Sequence, residues 1–155
     1  MKDEREAVKR SIDALKAALL ALVPEPGNFP TAVEGLCLYR EETDVRKDCF
    51  HDPVIGVIVQ GNKRALAADR EYRFREGWYL AYGMDLPAIS HISGASRERP
   101  HLALSIPLDR YLLSQLASEV KPRTAAKAYK GLTVAEAGSD MLEACLRVGG
   151  LCRYG

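Results

Sequence analysis

The sequence predicts a mainly β fold, a sandwich or barrel with helices on its outside. Between Leu36 and Leu108, short apolar runs alternate with turn residues at intervals of about ten residues, which favours packed antiparallel sheets over strand–helix–strand units. The segments on either side of this region show helical spacing instead. A length of 155 residues suits one domain, or one domain with an appended helical piece.

The N-terminal segment is predicted to form an amphipathic helix over residues 4–23. The turn-forming sequence Pro24–Asn28 ends this helix, because proline cannot continue the hydrogen-bond ladder. Such a helix must pack its apolar face on the following domain or on a second copy of the chain. That face consists of residues spaced by three and four: Val8, Ile12, Leu15, Leu19 and Leu22.

Seven strands are predicted in the central region, and Asp69-Arg70 is the expected tip of a hairpin between two of them. The Val54–Val59 strand is the strongest candidate because it is dense in β-branched residues. The predicted strands are Leu36–Arg40, Val54–Val59, Lys63–Ala68, Glu71–Phe74, Trp78–Tyr82, Pro87–Ser93 and His101–Ile106.

After Pro107 the apolar residues again have helical spacing. Asp109 is placed to cap a helix that runs to the sequence Lys121-Pro122. The small and polar segment Thr124–Gly131 is predicted to be a linker or loop, and a last helix is predicted over Val134–Val148.

Composition excludes several classes of protein. The chain has 22 Lys and Arg residues against 21 Asp and Glu residues, so it lacks the basic excess of a self-sufficient nucleic-acid binder. The content of apolar residues is too high for an intrinsically disordered chain. The longest apolar run, Ala17–Val23, is too short to span a membrane, and the N-terminus has mixed charges rather than a signal sequence. We therefore expect a cytoplasmic protein.

The residues that most often carry chemistry form no recognisable motif. No two of the four cysteines form a C-x-x-C pair, so small, partly buried thiols are expected. The three histidines, His51, His91 and His101, are scattered, and structural roles are favoured for them. The chain has no G-x-S-x-G, P-loop or G-x-G-x-x-G sequence. We therefore expect no catalytic site, no metal and no cofactor.

Alternation along two strands places aromatic and polar side chains on common faces. Trp78, Leu80 and Tyr82 share one face of their strand, and Ile89 and His91 share one face of the next. Aromatic residues mixed with a few polar groups suit a ligand cavity inside a small barrel. A plain packed core with tyrosine hydroxyls at its rim is the alternative interpretation.

The middle of the chain carries a longer signature. Residues Cys49–Arg64 follow the pattern C-x-x-x-P-x-x-x-x-x-x-Q-G-x-K, and agreement continues through Asp85–Pro87 and Glu98–Leu104 without a change of spacing. This stretch resembles the N-terminal domain of AraC-type transcriptional regulators, and the resemblance covers roughly residues 8–120.

The resemblance implies a cupin-like double-stranded β-helix barrel that senses a small-molecule effector and mediates homodimerisation. We accordingly expect an N-terminal helix and linker in residues 1–28, the barrel in 29–108, and C-terminal dimerisation or linker helices in 109–155. In such regulators a separate C-terminal helix-turn-helix region binds DNA, and we expect that region to lie outside this chain. The segment Lys63–Arg75 lacks the His-x-His of metal-dependent cupins.

Strand alternation and the family resemblance together give the candidate site residues. Cys49 is a possible reactive or redox-sensing thiol, because the subgroup pattern also has cysteine at that position. The dimer surface is expected at Leu112, Leu116 and the Met141–Leu146 stretch. The alternatives are a small cupin enzyme acting on a carbonyl or sugar substrate, and an interaction module without a ligand. The predicted ligand-binding residues are Tyr39, Val57, Trp78, Leu80, Tyr82, His91 and His101.

Overall fold

The computed structural model describes residues 2–51, 53–67, 69–82, 86–119 and 132–152, with three helices and ten strands among them. The elements are α1 (Lys2–Leu22), β1 (Gly27–Pro30), β2 (Cys37–Glu41), β3 (Val45–His51), β4 (Val54–Gln60), β5 (Asn62–Ala67), β6 (Arg70–Arg75), β7 (Trp78–Tyr82), β8 (Leu86–Ser93), β9 (His101–Pro107), α2 (Arg110–Glu119), β10 (Leu132–Glu136) and α3 (Ser139–Cys152).

The strands form two antiparallel sheets. Sheet A has the order β1-β2-β9-β4-β7-β10, and sheet B has the order β3-β8-β5-β6. The eight strands from β2 to β9 pair in nested fashion, β2 with β9, β3 with β8, β4 with β7 and β5 with β6. Nested pairing is produced when one long antiparallel ribbon rolls into a barrel, which is the jelly-roll topology of cupins. The predicted cupin-like double-stranded β-helix is confirmed.

A helical layer covers the outer face of sheet A. Leu15 and Leu19 of α1 and Leu142 of α3 are buried together with Val57 and Leu104 of the sheet. A second cluster fills the barrel between the sheets and includes Ile58, Phe74, Leu80 and Tyr82. Helices α1 and α3 therefore pack on the outer face of sheet A, as the apolar stripe of the N-terminal segment predicts.

The chain turns after α1 in a way that anchors the helix to the barrel. The amide of Val23 donates to the carbonyl of Leu19 at 2.8 Å, which completes the last turn. The buried guanidinium of Arg40 in β2 donates to the Val23 carbonyl at 3.0 Å and also pairs with Glu42. A carbonyl at the helix end thus receives a charged donor instead of water.

The seven predicted strands are all present, and the predicted hairpin tip is confirmed by Asp69, which adopts a φ of 62°. Aspartate tolerates this left-handed conformation better than most residues. Three strands were not predicted: β1, β3 and β10.

The prediction of a helix from Val134 is wrong at its start. Residues Leu132–Glu136 form β10, which pairs along the whole of β7, and α3 begins only at Ser139. Pairing with β10 satisfies backbone groups that an exposed edge of β7 would leave open, and this tertiary contact overrides the local helical pattern. The predicted linker Thr124–Gly131 lies outside the described residues.

The Met141–Leu146 stretch does not form the exposed apolar face that was expected for a dimer. Leu142 is fully buried and Cys145 nearly so, because this side of α3 packs against α1 within the same chain. The side chains of Leu112 and Leu116, the other expected contacts, lie outside the described part of α2. Among the helices that the structure describes, none is long and apolar enough to cross a bilayer.

Candidate ligand-binding site

A cavity of about 400 Å³ lies inside the barrel between the inner faces of the two sheets. Directly opposed residues of antiparallel strands share a face, so the strand register decides which side chains reach it. In sheet A, Tyr39 lies opposite Ala103 and Glu41 lies opposite His101. In sheet B, Ser90 lies opposite Lys47 and Lys63 lies opposite Ile92. The volume falls in the range of small-molecule sites.

One part of the cavity wall is apolar. Val54 and Ile58 of β4, Leu80 of β7 and Ala103 of β9 contribute to this part. The small side chain of Ala103 takes up little of this space, and Leu80 packs over the glycine at position 56. The hydroxyls of Tyr39 and Ser105, 2.8 Å apart, form a hydrogen bond at the edge of this apolar region.

The other part of the wall carries charge. The ammonium of Lys47 lies 3.2 Å from a carboxylate oxygen of Glu41. The ammonium of Lys63 lies 5.7 Å from the centre of the Phe74 ring, within the range of a cation–π contact. Two cations and one carboxylate therefore line this end of the cavity.

Two polar atoms in the cavity wall are buried without a hydrogen-bond partner among the described residues: Oγ of Ser90 and Nδ1 of His101. The side chains belong to residues that are only 5% and 2% exposed. Leaving one such group unsatisfied costs about 1–3 kcal/mol, so native structures rarely keep two together. Both residues line the same cavity.

His101 is electrically neutral at physiological pH. Burial, and secondarily the charge of Lys63, lowers the pKa of His101 to about 4. Gly61, at a φ of +99°, makes the close approach possible, since a Cβ atom there would lie 2.9 Å from Nδ1 of His101. A side chain at position 61 would therefore displace the imidazole from the wall.

The seven residues predicted as ligand contacts are not all brought to this cavity. Tyr39, Leu80 and His101 line it. Tyr82 is buried in the barrel interior but does not reach the cavity, and Trp78 lines a separate surface groove beside Arg73. These positions stay predictions as ligand contacts.

Two predicted residues lie on the wrong faces of their sheets. Val57 borders the cavity, but its side chain packs in the helical layer on the outside of sheet A. His91 lies on the outer face of sheet B, where its Nδ1 accepts a hydrogen bond from Arg64 at 2.6 Å. In both cases the neighbouring residue, Ile58 or Ser90, points inward, so the expected alternation was displaced by one residue.

The wall residues that were not predicted include Glu41, Lys47, Lys63 and Ser90. The sequence could have placed Lys63 on the inner face, because it alternates with Ala65 and Ala67, both buried inside the barrel. The same argument could not be made for Lys47, since its strand was not predicted.

The cysteines add no chemistry that the structure can locate. Cys49 belongs to β3 and its backbone lies opposite Ala88, but its side chain lies outside the described part of the chain. Cys37 and Cys145 are free thiols, and burial raises the pKa of Cys145. A reactive Cys49 stays a prediction.

Comparisons with known proteins agree with this architecture. The family described as the AraC-type transcriptional regulator N-terminus matches residues 32–154. No curated protein matches the chain.

Solved structures of ToxT from Vibrio cholerae share the fold. ToxT from strain O395 has a TM-score of 0.57 and 11% identity, over 77% of this chain and 45% of ToxT. Wild-type ToxT from strain SCE256 bound to an unsaturated fatty acid has a TM-score of 0.56 and 9% identity, over 81% of this chain and 48% of ToxT. ToxT from O395 bound to (E)-4-(8-methylnaphthalen-1-yl)but-3-enoic acid has a TM-score of 0.55 and 15% identity, over 73% and 46%.

This chain therefore spans a little under half the length of the ToxT chains that it matches. The family match covers most of the chain, and the nested strand pairing supplies the barrel that such a domain requires. The chain thus belongs to the family of AraC-type transcriptional regulator N-termini, the regulatory domains of these transcription regulators.

Proposed function

We propose that this domain senses a small-molecule effector in the barrel cavity. The observation that carries the proposal is the cavity of about 400 Å³ with two buried, unpartnered polar atoms in its wall. A ligand would satisfy both atoms and would bury the apolar wall around them. The acids bound to ToxT in two of the solved structures support a ligand-sensing role for this domain.

The effector acts through the contacts between the barrel wall and the helical layer. Tyr39 and Glu41 face the cavity, whereas Arg40 between them points to the other side of β2 and holds the end of α1. A ligand that shifts β2 therefore changes the position of α1 and of α3, which packs on it. Coupling of this kind requires that the ligand bind the two arrangements with different affinity.

The complete regulator is a cytoplasmic homodimer that binds DNA through a C-terminal helix-turn-helix region outside these 155 residues. Within the chain, the barrel of residues 29–108 forms the sensor, β10 and α3 complete the packing around it, and α2 is left for dimerisation. Near-neutral charge is consistent with a domain that does not contact DNA itself. No observation on the described residues favours the enzymatic alternative.

A cavity-filling variant tests the proposal. In Ala103→Phe the ring occupies the cavity, and in the control Leu66→Phe the ring lies on the exposed outer face of sheet B. Thermal unfolding is measured with a library of organic acids, sugars, aldehydes and other small metabolites. Compounds that raise the Tm of the wild type and of the control should leave Ala103→Phe unchanged.

Circular dichroism verifies that both variants keep the fold, because overpacking by a ring costs about 1–3 kcal/mol. If no compound stabilises the wild type, or if Ala103→Phe responds as the wild type does, the barrel cavity is not the sensing site.

A further inference from the structure

We infer that the outer face of sheet B is a docking surface for an acidic segment of a partner protein, one that presents carboxylates beside an apolar side chain. This surface shares no lining residue with the barrel cavity, so the inference goes beyond the proposed sensing function. Its centre is a groove of about 340 Å³ lined by Arg46, Arg64, Leu66, Glu71, Ile89 and His91.

An apolar pair lies open in the middle of this face. Leu66 of β5 lies directly opposite Ile89 of β8, and both strands are interior strands of sheet B. Leu66 is 50% exposed and Ile89 is partly exposed, whereas the helical layer buries the apolar residues on the outer face of sheet A. A partner side chain can therefore gain apolar contact on sheet B without displacing any element of the chain that the structure describes.

A row of basic residues crosses the four strands next to the apolar pair. Arg46 lies opposite His91, His91 lies opposite Arg64, and Arg64 lies opposite Arg73. Like charges that lie directly opposite each other destabilise an antiparallel pair, so the stability of the fold does not account for Arg64 beside Arg73. Glu71 offsets part of this repulsion by pairing with both guanidinium groups, at 3.3 and 3.4 Å.

The face has a net positive charge. Arg75, opposite Asn62, adds a fourth arginine to it, and the carboxylates on the described strands of this face are those of Asp48 and Glu71. Four positive charges thus stand against two negative charges. Among the described residues, the ion pairs on this face join only Arg64 and Arg73 to Glu71. Arg46 and Arg75 are therefore left for carboxylates from another molecule, which a guanidinium binds with two parallel hydrogen bonds.

The arrangement favours an acidic protein segment over a nucleic acid. A phosphate backbone offers no apolar group to Leu66 and Ile89, and it would be repelled by Asp48 and Glu71, which flank this pair in the same row across the sheet. The net charge of the chain, +1, adds no long-range attraction for DNA. A peptide supplies carboxylates for the arginines, an apolar side chain for the pair, and backbone amides for the two carboxylates.

The spacing on the sheet matches that of an extended peptide. Arg64 and Leu66 are two residues apart on β5, a separation of about 7 Å along the strand. In an extended segment the side chains of residues two apart also share a face at about this distance. A carboxylate and a leucine two positions apart can therefore meet the basic row and the apolar pair together.

Three fluorescently labelled peptides test the chemistry of the partner, each with two repeats of a four-residue unit. The units are Glu-Glu-Leu-Leu, Glu-Glu-Ser-Ser and Lys-Lys-Leu-Leu, and fluorescence anisotropy with the complete 155-residue chain measures each Kd. The Glu-Glu-Leu-Leu peptide should bind, and the serine peptide should bind at least about fivefold more weakly because it buries no apolar surface. The lysine peptide should not bind. Raising NaCl from about 50 to about 500 mM should weaken the first interaction, since salt screens exposed charges.

Matched variants test the placement. Arg46→Gln should weaken the Glu-Glu-Leu-Leu peptide about threefold to tenfold, whereas Arg10→Gln, which removes the same charge from an exposed position on α1, should leave its Kd within about twofold. Leu66→Ser should weaken it about fivefold, and Leu20→Ser on α1, where the leucine is 43% exposed, should not. Circular dichroism verifies that all four variants keep the fold.

Several results would overturn the inference. The wild type would fail to bind the Glu-Glu-Leu-Leu peptide, or would bind the serine peptide equally well, or Arg46→Gln and Arg10→Gln would have equal effects. Displacement of the peptide by a DNA duplex of about twelve base pairs would make the face a general polyanion site instead. If sedimentation shows that Leu66→Ser dissociates a dimer that Leu20→Ser leaves intact, a second copy of the chain occupies the face and the inferred partner is wrong.

Discussion

The imidazole of His101 links the stability of the barrel to pH. Its pKa is about 4 in the folded protein and about 6.5 when unfolded, because burial disfavours the charged form. Between these values the unfolded chain binds a proton that the folded chain does not. Stability is therefore unaffected by His101 above about pH 6.5 and declines as the pH falls from there to about 4.

Urea unfolding at several pH values measures this effect. The wild type should lose about 3 kcal/mol relative to His101→Gln between pH 6.5 and pH 4, since each pKa unit corresponds to about 1.36 kcal/mol. His91→Gln serves as the control, because His91 lies on the outer face of sheet B. Parallel pH profiles for the wild type and His101→Gln would contradict the assignment.

At the residue scale, locating a strand did not fix which of its side chains point inward. Tyr39, Leu80 and His101 line the cavity, but the strands of Val57 and His91 also begin within one residue of their predicted starts. For His91 and Val57 the inward residue is the neighbour in sequence. A displacement by one position moves a side chain to the opposite face, and composition alone does not fix it.

At the scale of the elements, helix α1 is an integral part of the fold because it packs on sheet A. Leu15 is 1% exposed between the helical layer and sheet A, whereas Leu20 on the same helix is 43% exposed. Leu15→Ala should cost about 2–5 kcal/mol through lost burial and a residual cavity. Leu20→Ala should change stability by less than about 0.5 kcal/mol.

Chemical denaturation of the two variants measures the difference, and equal stabilities would mean that α1 does not pack on the barrel as described. The substitution is the same in both cases, so helix propensity contributes equally to each variant.

The elements that sequence analysis missed have specific causes. In β3, Arg46, Lys47 and Asp48 are all polar and exposed, and Lys47 also lines the cavity, so the strand lacks apolar alternation. A search for alternating apolar residues therefore does not find it. In β10, pairing with β7 across Leu132–Glu136 decides the structure, and a local pattern does not report such a partner.

At the scale of the whole molecule, the balanced total charge does not report which charged side chains line the cavity. The chain has a formal net charge of +1, and Glu41, Lys47 and Lys63 border the cavity. Total charge could exclude a stand-alone nucleic-acid binder, but it carries no information on this interior. The nested pairing of β2 with β9 and of β3 with β8 joins residues far apart in sequence, which strand prediction alone does not supply.

The predicted homodimer is tested at the scale of the whole molecule. The apolar face of α3 is already covered within the chain, so a dimer must use another surface. On α2, Tyr111 is 72% exposed, and aromatic residues of this kind are enriched in interfaces. We expect sedimentation equilibrium to give twice the chain mass of 17.1 kDa.

Tyr111→Glu should yield a monomer, whereas the control Leu20→Glu, on the exposed side of α1, should remain dimeric. A monomeric wild type would exclude dimerisation by this domain, and dissociation by Leu20→Glu alone would move the interface to α1.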